Sequence, residues 1–106
     1  MAWIWLLVAG LLEVVWSYFM KQSDGFSKLG PSLVTLATMI ASFGLLSVAM
    51  KTLPLGVAYT IWTGIGAVGA FVVGATLLGE QVSVPRISAA LLIVSGLVLM
   101  KLDSVQ

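Results

Sequence analysis

A chain of 106 residues that is 60% hydrophobic and 8% charged, with a net charge of +1, has too little polar surface to coat a water-soluble globule. Its mean hydropathy of +1.16 is that of a membrane protein. The near-neutral charge excludes a basic nucleic-acid surface, and the absence of Cys and His excludes disulfides, thiolate or imidazole metal sites and Cys or His catalysis.

Four apolar runs approach the roughly 20 residues needed to cross a hydrocarbon core. They predict an all-α integral membrane protein with a single four-helix transmembrane domain over 1–106 and helices at about 3–20, 32–50, 57–78 and 84–101. The first run starts at the N-terminus without a basic segment and lacks a small-residue cleavage site before Lys21, so a cleaved signal peptide is not expected. The intervening stretches "KQSDGFSKLGP", "KTLPLG" and "GEQVSVPR" carry Gly, Pro and charge, the punctuation of short turns. None is long enough to hold a nucleotide-binding or other extramembrane domain, so any energy source must be an ion gradient.

In the first span, Glu13 stands about ten residues deep, where a carboxyl costs roughly 2.5–3.5 kcal/mol on insertion scales. One reading is a neutral Glu that donates an interhelical hydrogen bond. The stronger reading is exchange chemistry: removal from water disfavours the charged carboxylate and an approaching cation restores it, so one residue holds either a proton or a cation. Ala9, Gly10, Trp16 and Ser17 share its helix face. Small Gly10 gives access and Trp16 offers a π-face or an indole N–H, whereas Trp3 and Trp5 lie at the depth of interface anchors.

The second span carries a weakly polar stripe of Thr35, Thr38 and Ser42, with Met39 and Phe43 alongside. Backbone hydrogen bonding and a role at a site are both open for these hydroxyls. The third span, "AYTIWTGIGAVGAFVVGA", groups Tyr59, Trp62 and Thr63, aromatics and a hydroxyl suited to a cation site, ahead of Gly64, Gly66, Gly69 and Gly74. Those glycines are either close-packing positions or a hinge that bends as the site changes the side it faces. The fourth span holds no charge before Lys101 and interleaves Ser88, Ala89, Ala90, Ser95 and Gly96 with large aliphatics, a packing helix expected at a subunit interface. Asp24, Glu80 and Asp103 lie at span ends and receive no chemistry.

With four spans, Lys51 and Lys101 fall on one side of the membrane and Lys21, Lys28 and Arg86 on the other. Two against three is no bias, and either a fixed orientation set by other features or insertion both ways round is compatible with it. Four short helices can barely pack and also enclose a solute path, which predicts an oligomer. No internal repeat is visible, so two copies of the chain would have to supply the inverted halves that secondary transporters use.

Through its length, its four short spans, the embedded Glu13 and the surrounding "AGLLEVVWS", the whole chain resembles the small multidrug resistance transporters. Within them, "KTLPLGVAYTIWTGIGAVGA" and "DGF" are similar to the guanidinium exporter subtype. The resemblance implies an antiparallel, dual-topology homodimer in the bacterial inner membrane that exchanges protons for guanidinium and small guanidinyl cations, with no cofactor and no bound metal. It implies that Glu13 binds proton or substrate, that Ser42 and Trp62 hydrogen-bond and orient its carboxylate, and that Tyr59 lines the site and helps couple its two access states. It further implies that Trp16 and Gly10 shape the pocket, and that Met39 and Phe43 border a lipid-side portal. Guanidinium suits this inventory, being a planar cation whose donors pair bidentately with a carboxylate while its faces meet aromatic walls. Two other readings stay open: a broad quaternary ammonium or multidrug cation–proton antiporter of the same family, and a proton-conducting or structural membrane subunit. An enzyme is not expected, because no second acid, base or nucleophile stands at matching depth.

Overall fold

The computed structural model describes residues 2–104, all of whose regular structure is helical: α1 Ala2–Gln22, α2 Leu29–Ala49, α3 Leu55–Leu77 and α4 Val84–Ser104. All four are long and apolar enough to cross a membrane. At 21 to 23 residues they are roughly 31–35 Å long, matched to a hydrocarbon core of about 30 Å.

Prolines set two of the helix starts. α2 begins three residues before the expected position 32, with Pro31 inside its first turn, where an amide N–H has no intrahelical acceptor and none is lost. α3 begins two residues before the expected 57, directly after Pro54, whose extended backbone (φ −61°, ψ 150°) serves as N-cap. At its far end Gly79, at φ +67°, turns the chain out of the helix, and the Glu80 N–H returns to the Gly74 carbonyl at 2.9 Å. The α1–α2 turn is unusual: Asp24, Gly25 and Phe26 all have positive φ (50°, 73° and 66°). A left-handed backbone costs L-residues about 1–2 kcal/mol each. Fully buried Ser23 holds this turn, its hydroxyl donating to the Met20 carbonyl (2.7 Å) and accepting from the Phe26 N–H (3.0 Å).

The helices form a flat slab of 44 × 34 × 16 Å, little thicker than one helix of roughly 10–12 Å with its side chains. Its order across the slab is α2, α1, α3, α4: α1 packs most extensively against α2, then against α3, while α4 packs against α3 alone. The core is small, comprising Leu6, Ala9, Leu46, Ala49, Ala58, Ile61 and Trp62. The face of α2 that meets it also buries Ser32, Thr35 and Ser42, while Leu33, Leu36 and Ile40 point outward. This is the arrangement expected in lipid, where small residues let helices approach and large aliphatics face the acyl chains. No residue of the α4 span is buried.

Candidate functional site

The middle of the slab is where α1, α2 and α3 meet. Glu13 projects from α1 towards α3 and is half-buried, and its Oε1 is fully enclosed without a hydrogen-bond partner among the described residues. Gly66 of α3 makes this possible. A Cβ at that position would overlap the Glu13 carboxylate, so the absence of a side chain is what admits the carboxyl between the two helices. The Trp16 Nε1, one turn along α1, is likewise enclosed and unpartnered among the described residues. A buried acceptor and a buried donor are thus both left open at mid-membrane, where unsatisfied polar groups are costly.

Behind Glu13 runs a short hydrogen-bonded chain across three helices. The Trp62 indole N–H donates to Ser42 Oγ (3.0 Å), and the Ser42 hydroxyl donates to the Ala9 carbonyl (2.7 Å). In a regular α-helix that carbonyl also accepts the backbone N–H of residue 13. The expectation from resemblance was that Ser42 and Trp62 bond the Glu13 carboxylate. In this structure they are engaged with each other and with the backbone one turn before Glu13. Ser42 is fully buried directly against Ala9, so the nearest acceptor is a peptide oxygen, which satisfies the hydroxyl locally. Thr35 and Thr38 follow the backbone reading, bonding the Pro31 (2.8 Å) and Val34 (2.7 Å) carbonyls of their own helix.

The aromatics form one connected row. The Trp16 and Phe43 rings meet edge-on at 6.4 Å, Phe43 and Trp62 are 5.6 Å apart, and Trp62 and Tyr59 are 5.5 Å apart. Tyr59 is half-exposed at its end. Phe43 remains 46% exposed and Met39 is half-buried, so this edge of α2 is open beside the row. The row begins at Trp16, one helical turn from Glu13, and presents π-faces and edges of the kind suited to a small planar cation.

Gly10 takes a different part. It is buried, and the space left by its missing side chain is filled by Ile65 of α3, whose Cγ2 would lie 2.6 Å from a Cβ at position 10. It therefore sets the spacing of α1 and α3 on the side of Ile65 and influences Glu13 through that spacing. The α3 glycines also divide by partner: Gly64 receives Leu97 of α4, Gly66 receives Glu13 and Gly69 receives Val14 of α1. α3 runs unbroken through them. Sequence reasoning missed Ala9 as the acceptor that ends the Trp62–Ser42 chain; a small residue at i−4 from a buried carboxyl, with a Ser in a neighbouring span, is the available signal. It also missed that Glu80 folds back onto Gly74, whose Cβ would collide with the Glu80 carboxylate.

The Trp62–Ser42 bond predicts a measurable coupling. Ser42→Ala leaves a buried indole N–H without an acceptor, and each of Ser42→Ala and Trp62→Phe is expected to lower stability to chemical unfolding in micelles. The pair is expected to be coupled by about 0.6–1.7 kcal/mol, the span measured for interhelical hydrogen bonds in membranes. Strict additivity in the double-mutant cycle would show that the bond contributes nothing.

Comparison with known proteins shows the family of the chain. The family model described as Small Multidrug Resistance protein matches residues 1–101. The chain is 56% identical to a guanidinium exporter of Salmonella typhimurium (strain LT2), over 98% of this chain and 99% of that one. It is 54% identical to a guanidinium exporter of Citrobacter freundii over the same shares, and 55% identical to one of Yersinia pseudotuberculosis over 98% of this chain and all of that one. A carboxyl embedded between apolar helices, four spanning helices and full-length similarity to these exporters all lead to one assignment: the chain belongs to the Small Multidrug Resistance protein family and is a multi-pass protein of the bacterial inner membrane.

Proposed function

We propose that the chain is a proton-coupled antiporter that exports guanidinium and small guanidinyl cations, working as an antiparallel homodimer in which proton and cation compete for Glu13. The observation that carries this reading is the enclosed, unpartnered Oε1 of Glu13 at mid-membrane, held open by Gly66. A carboxyl so placed has only two inexpensive states, protonated or paired with a cation. Guanidinium supplies the forked donors such a carboxylate accepts, and its π-surface can lie along the Trp16–Phe43–Trp62–Tyr59 row. Similarity to proteins named as guanidinium exporters supports the choice of cation.

The homodimer reading rests on shape and charge. A slab 16 Å thick cannot surround a solute by itself. Its Lys and Arg residues are divided between the two membrane faces, compatible with insertion in both orientations, and two inverted copies would meet around a midplane site in the manner of inverted repeats. Two Glu13 carboxyls would then share one cavity and titrate as a coupled pair. Within this scheme the Trp62–Ser42–Ala9 chain fixes the wall behind Glu13, and Trp16 and Gly10 shape the pocket. Tyr59 lines the open end and links the two access states, Met39 and Phe43 border a portal to lipid, and Gly64, Gly66 and Gly69 pack α3 closely against Leu97, Glu13 and Val14.

The test is guanidinium-driven proton movement in sealed proteoliposomes, with tetraethylammonium in parallel. Guanidinium is expected to move protons and tetraethylammonium to move them more slowly. Movement with the quaternary cation alone would replace this reading by the broader multidrug one, and proton leakage independent of either cation would replace it by a proton-conducting subunit.

A further inference from the structure

α1 and α4 both pack on α3 without packing on each other, which leaves a groove between them floored by Ile61 and Ile65 of α3. Its volume is about 360 Å³, at the lower end of the roughly 300–1,000 Å³ typical of small-ligand sites. The walls are Trp3, Ile4, Leu6 and Leu7 of α1 and Leu97 and Val98 of α4. Among the described lining residues the one charge is at the mouth, where the Lys101 ammonium lies 4.9 Å from the centre of the Trp3 ring. The groove does not belong to the Glu13 site. On α3 the groove residues Ile61 and Ile65 stand roughly 110° around the helix from Tyr59, Trp62 and Gly66, at about 100° per residue.

We propose that this groove holds an acyl chain of an anionic phospholipid whose phosphate pairs with Lys101. Charge selects this occupant. The ammonium repels the cationic substrates proposed for the Glu13 site, and the Trp3 ring face attracts a cation without supplying an opposing charge. No carboxylate partner for Lys101 exists among the described residues. Depth agrees: the wall residues on α1 and α4 span positions 3–7 and 97–101, roughly 6 Å of helix rise beginning one residue inside the start of α1 and three residues inside the end of α4, where headgroup and upper acyl chain lie. A basic residue at the end of a cleft between transmembrane helices is a recurring way of holding anionic lipid headgroups, and the adjacent Trp belongs at the same depth. The bound lipid bridges the N-terminal end of α1 and the C-terminal end of α4, which meet directly through the Lys101–Trp3 contact and otherwise through α3.

The experiment is native mass spectrometry of the full chain in detergent micelles with added dioleoylphosphatidylglycerol or dioleoylphosphatidylcholine. Phosphatidylglycerol is expected to be retained at least tenfold more than phosphatidylcholine. Lys101→Gln is expected to erase that difference, and Lys101→Arg to preserve it. Lys51→Gln, which removes an exposed cation on the same membrane face outside the groove, is expected to preserve it too. Equal retention of the two lipids, or equal losses in the Lys51 and Lys101 variants, would overturn the site. A photoreactive benzoylphenylalanine at Leu7 is expected to cross-link to phosphatidylglycerol in vesicles; cross-linking to a second copy of the chain would show that protein covers the groove and would overturn the proposal.

Discussion

Glu13→Gln is expected to reduce guanidinium-driven proton movement to the level of protein-free vesicles while leaving the protein folded. Glutamine has nearly the same shape and so still fits the space over Gly66, but it offers neither a titrating proton nor a negative charge. The structure gives Glu13 no ion-pair or hydrogen-bond partner for Oε1 among the described residues, so the substitution breaks nothing that holds the helices together. Gln, like a protonated Glu, brings no charge to mid-membrane, and unfolding in micelles is expected at the same or higher denaturant concentration. Guanidinium binding is expected to weaken by at least about 30-fold, equivalent to roughly 2 kcal/mol, the lower end of what losing one partner of a desolvated charge pair costs. Substantial residual exchange in this variant would mean that the proton and the cation use another group, and the proposed mechanism would fail.

Gly66→Ala tests the same site from the opposite helix and separates fold from function. Adding a methyl group to an uncrowded helix interior favours the helix by about 0.5–1 kcal/mol relative to Gly. The atoms it meets are the carboxylate and Cγ of Glu13, so the whole unbranched side chain must rotate away, a change of rotamer on α1 that leaves the backbone in place. Stability is therefore expected to hold or rise, while guanidinium affinity, measured by calorimetry in micelles, is expected to fall about tenfold because the carboxylate no longer occupies its place between α1 and α3. Gly64→Ala provides the contrast. There the new Cβ would lie 2.6 Å from Leu97 Cδ2 and 3.0 Å from its Cγ, a branched side chain lodged between α3 and α4. Overpacking of that kind costs about 1–3 kcal/mol, and the expected outcome is lower stability with guanidinium affinity retained. Were both variants to lose affinity equally, the α3 glycines would be acting together through helix flexibility, the hinge reading of the run, and not through their separate neighbours.

The site was legible in the sequence to a definite extent. Glu13 stands out because one carboxyl in a run of aliphatic residues violates the hydropathy of everything around it, and its depth follows from counting along a helix of known rise. The aromatic residues on the third span were legible as a group because Tyr59 and Trp62 stand close together in an apolar run, where their polar tips and π-faces suit a cation. Their order in space was not legible. That Phe43 of α2 sits between Trp16 of α1 and Trp62 of α3 is a consequence of how three helices cross, and no spacing within one segment encodes it.

The number of spans and the approximate depth of Glu13 were determined by sequence alone, because the bilayer imposes one dimension on every segment and hydropathy reports it directly. Only the tertiary structure decided which face of each helix meets which neighbour. In water, an apolar stripe marks the packing face; in hydrocarbon, lipid is as apolar as leucine, so helices α1 to α4 are hydrophobic on all sides and carry no such mark. For that reason Gly64, Gly66 and Gly69, alike in sequence, receive Leu97, Glu13 and Val14, and Gly10 proves to admit Ile65. Ser42, indistinguishable from Thr35 and Thr38 by spacing, alone bonds across to another helix. Those assignments depend on van der Waals fit between particular surfaces, a property of pairs of helices that exists only once the four of them are laid side by side.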